Sequence, residues 1–154
     1  MNFKNDSNCH TEQKLHTVSG EEIQEPYCRF CDKEKRGVTI AEKGTVFCLE
    51  DSYPVTADHL LIIPHRHTLD YFTMTARERR DAEDLIIQMR NKITQEDPSV
   101  VGFNVGVNCG RPAGQSIMHA HIHLIPRRIG DTPYPRGGVR GVIPCSRRYK
   151  HGLK

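Results

Sequence analysis

The stretch His119-Ala120-His121-Ile122-His123-Leu124-Ile125 decides how this chain is read. Imidazole and apolar side chains alternate with the two-residue period of a β-strand. His119, His121 and His123 therefore share one face, and Ala120, Ile122 and Leu124 share the other. The apolar set belongs to a sheet core. The three imidazoles leave three readings open: a polar solvent-facing surface, a three-histidine metal site with an open position, or covalent catalysis. With a pKa near ~6.5 the ring is mostly neutral at pH 7, so one nitrogen can attack phosphorus while the other is held by a hydrogen bond.

Upstream, residues 45–50 and 59–63 are short apolar segments separated by the turn-prone run Asp51-Ser52-Tyr53-Pro54, which predicts two antiparallel strands. Thr75 with Glu78 forms a capping-box signature. Ala82, Leu85, Ile86, Met89 and Ile93 then recur at helical spacing, predicting a helix that ends near Gln95, before Pro98. Residues 101–107 read as a strand, a glycine-rich stretch from Asn108 to Gly114 follows, and residues 117–125 form the last strand. Strands, helix, then strands is the order of an α+β domain with a helix packed on an antiparallel sheet.

The 154 residues, 36% of them hydrophobic, suit one domain. Residues 1–25 are polar and predict a flexible arm, residues 26–145 the domain, and residues 146–154 a basic tail. No apolar run is long enough to cross a membrane and the first twenty residues lack the apolar centre of a signal peptide, so a cytoplasmic protein is expected. A net charge of +3 favours anionic small molecules without implying a dedicated nucleic-acid surface. The six cysteines then read as thiols or metal ligands. Cys28-Arg29-Phe30-Cys31 has the spacing of half a metal site, with a redox pair and plain buried thiols as its other readings. Cys9, Cys48, Cys109 and Cys145 have no such spacing.

The run HAHIHLI resembles the signature of the histidine-triad (HIT) proteins, His-φ-His-φ-His-φ-φ with φ apolar. The likeness extends through Asn108, Gly110 and Ala113 to Ser116, and back through DSYPVTADHLLIIPHRH at residues 51–67. It covers about residues 26–128. The resemblance implies a sheet of about five antiparallel strands with a long helix, and a reaction at the α-phosphate of a purine nucleotide through a nucleotidyl-histidine. His121 would be the nucleophile, His123 would contact the phosphate, His119 would orient the nucleophile, and Ser116 would bond the bridging or leaving oxygen. Asp51 would accept from ribose hydroxyls, Asn108 would contact the phosphate or lie on the ribose side, Gln115 would belong to a loop whose amides approach the phosphate, and Phe30 and Ile63 would line the base. It further implies a structural zinc held by Cys28, Cys31, His59 and His119, no organic cofactor, and a homodimer. His65 and His67 follow Pro64; His67 matches a family histidine, with a surface role the equal alternative. His10, His16 and His151 fall in the tails.

The triad does not select among the family's reactions. AGQSIMHAHIHLIPRR at residues 113–128 looks closer to the bacterial-type dinucleoside polyphosphate hydrolases than to the phosphoramidases, with purine nucleoside phosphoramidase as the alternative activity and a nucleotide-binding or signalling module as the non-enzymatic one. Arg127, Arg128, Arg136 and Arg140 have the chemistry to hold a polyphosphate, or are solvated loop arginines.

Overall fold

In the computed structural model, residues 28–144 are described. The arm, the basic tail, Cys9, Cys145, His10, His16 and His151 lie outside that range. Residues up to Pro135 form one compact unit, and residues 136–144 belong to another, in which Gly138–Val142 makes a 3-10 turn.

The first unit is an α+β domain, as the element order predicts. Its strands are β1 (Thr39–Lys43), β2 (Val46–Glu50), β3 (Leu60–Pro64), β4 (Val100–Gly106) and β5 (Ile122–Arg128), with helix α1 (Ala76–Glu96) between β3 and β4. All pairings are antiparallel, in the order β1-β2-β3-β5-β4. β1 carries no sequence signal: TIAEK is half polar and sits at the sheet edge, where only one neighbour rewards apolar residues. β5 begins three residues after the triad starts. His119 and His121 precede the ladder, yet Ala120, Ile122 and Leu124 still enter the core, so the facing alternation holds.

α1 starts where the capping box places it. The Thr75 hydroxyl accepts from Glu78 N at 3.1 Å, and Thr75 N donates to Glu78 Oε2 at 2.7 Å. Ala82, Leu85, Met89 and Ile93 bury its apolar stripe against Val46, Cys48, Leu60, Ile62, Ile122 and Leu124; each large side chain contributes roughly 1.5–3 kcal/mol of burial. Asp81 ties the helix to the β1–β2 hairpin, accepting from the Thr45 amide and hydroxyl at 2.9 and 2.8 Å. Gly44, at φ +52°, leaves the room this needs, since a Cβ there would collide with that carboxylate.

On the opposite face a smaller cluster of Phe30, Phe47, Leu49, Leu61 and Ile63 covers the β2–β3 half. The β5–β4 half of that face carries His123, Ile125 and Arg127 with their β4 partners.

Candidate functional site

β3 and β5 run antiparallel with Leu60 opposite Leu124 and Ile62 opposite Ile122. This register brings the segment after Pro64 beside His119, and Ala120 N donates to Thr68 O at 2.7 Å. Residue 59, at the start of β3, falls beside His123 instead. The residues expected as zinc ligands do not all come together. Cys28, Cys31 and His119 converge with His67, their donor atoms all within 4.8 Å of one another, while His59 joins Asp51 and His123 in a separate group.

In the first cluster the Cys28 and Cys31 sulfurs lie 3.3 and 3.6 Å from His119 Nδ1, and Cys31 Sγ is 3.4 Å from His67 Nδ1. His119 is fully buried, and its Nε2 is 2.9 Å from the Pro64 carbonyl. A carbonyl only accepts, so the proton sits on Nε2 and the Nδ1 lone pair faces the sulfurs. Burial pushes the His119 pKa down to about 4, against the Pro64 bond and with added repulsion from His67 and His121. Burial, then the neighbouring Cys28, pushes the Cys31 thiol up to about 11. Two crowded thiols and two imidazoles form a donor set that a soft divalent cation satisfies, and these residues fit a closed four-ligand site. Arg66, bidentate to Glu78 at 2.9 and 2.8 Å, anchors the loop bearing His67 to the start of α1.

His121 repeats the tautomer logic with the other nitrogen. Its Nδ1 lies 2.8 Å from the His119 carbonyl, so Nδ1 carries the proton and Nε2 keeps the lone pair. Phe30 and His123 pack edge-on against the ring at centroid distances of 5.5 and 5.1 Å, fixing its plane.

In the second cluster the polarity is reversed. The Val55 amide donates to His59 Nδ1 at 3.3 Å, which places the His59 proton on Nε2, directed at His123 Nδ1 3.0 Å away. His123 then bears its own proton on Nε2. Burial lowers its pKa to about 4, with repulsion from His121 and His59 adding to this and Asp51 opposing it, so the ring is a neutral donor at pH 7. Burial also lowers the His59 pKa, against the attraction of Asp51. Asp51 Oδ1 accepts from Tyr53 N at 2.9 Å, and Oδ2 stands 3.6 and 3.8 Å from His59 Nε2 and His123 Nδ1.

The glycine-rich loop closes on itself around Gly110 (φ 84°) and Gly114 (φ 91°). Both are left-handed positions that glycine adopts without strain. Asn108 is half-buried, its amide 3.4 Å from the Gly114 carbonyl, and Ser116 is exposed. Gln115 is buried and already engaged: its Oε1 accepts from Gly110 N at 2.7 Å, and its Nε2 donates to the Leu69 and Ile117 carbonyls at 2.6 and 3.1 Å. It braces the loop, and its polar atoms are directed at backbone. Phe30 is buried against His119 and His121, and Ile63 is wholly buried, so Ile63 offers no wall to a base. Arg127 is bidentate to Asp131 at 2.8 and 2.7 Å, and Arg128 pairs with Asp97 and Asp58 at 2.6 and 3.0 Å. Those two guanidiniums are held by carboxylates, while Arg136 and Arg140 belong to the other unit.

A five-stranded antiparallel sheet with one long helix thus carries three alternating imidazoles at the start of the strand next to its edge. The HIT domain family matches residues 32–130, and the chain belongs to that family. A HIT-like protein of Mycoplasma genitalium is 34% identical over 65% of this chain and 72% of its own length. An AP-4-A phosphorylase of Mycobacterium tuberculosis is 30% identical over 72% of this chain, which spans 57% of that enzyme. Among solved structures, a HIT family protein from Bacillus anthracis superposes with a TM-score of 0.61 at 33% identity, covering 68% of this chain and 75% of that one.

Proposed function

We propose that the protein is a nucleotidyl hydrolase that cleaves a dinucleoside polyphosphate of the diadenosine tetraphosphate type at its α-phosphate. One observation carries the reading: the His119 carbonyl, 2.8 Å from His121 Nδ1, leaves His121 Nε2 with its lone pair free. That nitrogen attacks phosphorus, and an N–P bond forms as the bond to the leaving phosphate oxygen breaks. The Nδ1 proton stays on the ring, so the imidazole becomes cationic while the His119 carbonyl stabilises it. His123 Nε2–H donates to the oxygens on which charge develops. Water then attacks phosphorus, the N–P bond breaks with its electron pair returning to Nε2, and the water proton leaves to solvent. Ser116 and Asn108 contact the phosphate, and Asp51 accepts from the ribose.

Cys28, Cys31, His67 and His119 would hold a structural zinc, whose contribution is to pin the knuckle at residues 28–31 to the start of the catalytic strand. Free Cys28, Cys31, Cys48 and Cys109 suit the reducing cytoplasm, and no helix among the described residues is long and apolar enough to cross a membrane. A second copy of the chain is the proposed partner. β4 is a sheet edge with Val101 and Val105 exposed, and beside it a recess of about 900 Å³ between α1 and β4 is lined by apolar Ile86, Ile87 and Val107 with Arg80 and Glu83.

Incubation with diadenosine tetraphosphate and with adenosine phosphoramidate, followed chromatographically, tests the reading. AMP and ATP from the first substrate support it. Turnover of the phosphoramidate alone gives the alternative activity, and turnover of neither leaves a nucleotide-binding module. His121→Ala is expected to lower turnover by at least about 10⁴-fold; full activity in that variant removes the covalent mechanism.

A further inference from the structure

The loop from Asp51 to His59 carries the carboxylate proposed for the ribose and the Val55 amide that fixes the His59 tautomer. Its ends are joined by Asp51 N, which donates to His59 O at 2.9 Å, and His59 N turns back to Thr56 O at 3.3 Å. No residue from 51 to 58 is buried, so no apolar side chain anchors the loop in the core. Asp58 sits at φ 63°, the one left-handed non-glycine position among the described residues, a conformation that surrounding contacts must hold.

Arg128 supplies those contacts. Its Nη1 donates to Thr56 Oγ1 at 3.0 Å and to the Ala57 carbonyl at 3.4 Å, and its Nη2 to Asp58 Oδ2 at 3.0 Å, so three consecutive loop residues share one guanidinium. The guanidinium is itself fixed from behind. Asp97, the C-cap of α1, accepts from Nε and Nη2 at 3.1 and 2.6 Å through Oδ2, while the Ser99 amide and hydroxyl hold its Oδ1 at 2.9 and 2.6 Å. Arg128 is also the last residue of β5, the strand that bears His123. The end of the helix, the catalytic strand and the loop therefore meet on one planar fork. Val55 immediately precedes the clamped residues. From its amide the bonds run to His59 Nδ1 at 3.3 Å, and from His59 Nε2 to His123 Nδ1 at 3.0 Å. Farther along the strand than His123 and on its opposite face, the Arg128 side chain is turned away from the triad and acts through the loop.

We infer that Arg128 is a positioning residue for the reaction: by clamping residues 56–58 it fixes the Val55 amide, and through that amide the proton of His59 and the donor nitrogen of His123. The inference rests on the nucleotidyl-transfer reading and extends its machinery to a side chain that touches no reacting atom. Nitrogen NMR of the full-length, histidine-labelled protein reports which nitrogen of each ring is protonated, and steady-state turnover of diadenosine tetraphosphate reports the consequence. In Arg128→Met the Asp58 and Asp97 carboxylates lose the cation they share and the clamp opens. His59 and His123 are then expected to become tautomer mixtures while His121 keeps its proton on Nδ1, and kcat to fall about tenfold with KM changed by less than about twofold. Thr56→Val leaves both carboxylate pairs in place, should shift the same two rings by a smaller amount, and decides alone if Arg128→Met does not fold. In the His59→Asn protein the relay is already cut, so adding Arg128→Met should lower kcat by less than about twofold. Unchanged His59 and His123 tautomers, or a full loss in Arg128→Met added on top of that of His59→Asn, overturn the positioning role and leave the proposed chemistry standing. If the parent turns over no nucleotide and the two rings still scramble in Arg128→Met, the clamp stands and the proposed chemistry falls.

Discussion

His119 and His59 are both buried imidazoles, 0% and 3% exposed, and in each the backbone holds one ring nitrogen. The backbone groups are of opposite kind. A carbonyl, Pro64 O, takes the proton of His119 and turns a lone pair toward two sulfurs; an amide, Val55 N–H, fills the lone pair of His59 and turns a proton toward His123. The first arrangement suits a metal ligand and the second a hydrogen-bond donor. Residue type and burial are nearly the same, so the difference in chemistry comes from which backbone group the fold places behind each ring.

The largest expected effect breaks the first half of this comparison. Cys28→Ala or Cys31→Ala should take bound zinc from about one per chain to none by elemental analysis, and lower stability by roughly 4 kcal/mol or more in urea unfolding. His67→Asn should lose metal likewise. His59→Asn should keep the metal and the melting temperature while lowering kcat roughly 10- to 100-fold with little change in KM, because His123 loses the donor that sets its tautomer. Metal lost in His59→Asn and retained in His67→Asn would reverse the assignment.

A smaller effect sharpens the comparison with a side chain whose donors and acceptors cannot exchange. Gln115→Glu keeps the acceptor for Gly110 N but sets a carboxylate against the Leu69 and Ile117 carbonyls, and should cost about 3 kcal/mol by urea denaturation. The smallest effect lies in the ion pairs on the outer side of the histidines. Arg127 beside Asp131 holds that carboxyl down at about 2, and Ser99 with Arg128 does the same for Asp97. Both folded values lie below the unfolded ~3.9, so the stability they contribute is full above that pH and is lost as pH falls toward 2. Urea midpoints measured from about pH 5 to pH 3 should decline less steeply in Asp131→Asn than in the parent.

The α+β class, the helix start at Thr75 and the facing of the triad were legible because each rests on local periodicity or capping. β1 was not, since an edge strand with one partner needs little apolar alternation. The choice between His59 and His67 depends on strand pairing: the two flank β3 at opposite ends, and only its antiparallel register with β5 decides which one reaches His119. The partners of Arg127 and Arg128 were equally hidden. Asp58 and Asp97 are far from Arg128 in the chain, and Asp131 reaches Arg127 only because the chain turns back after β5. Nothing in the sequence marks the Pro64 carbonyl or the Val55 amide as the groups that set two tautomers.

Glu78 makes two contacts at once. Its carboxylate closes the capping box on Thr75 and grips Arg66, in the loop that presents His67. The start of the long helix and the loop that presents His67 therefore share one side chain, and loss of the Glu78 carboxylate is expected to loosen both ends of that link together.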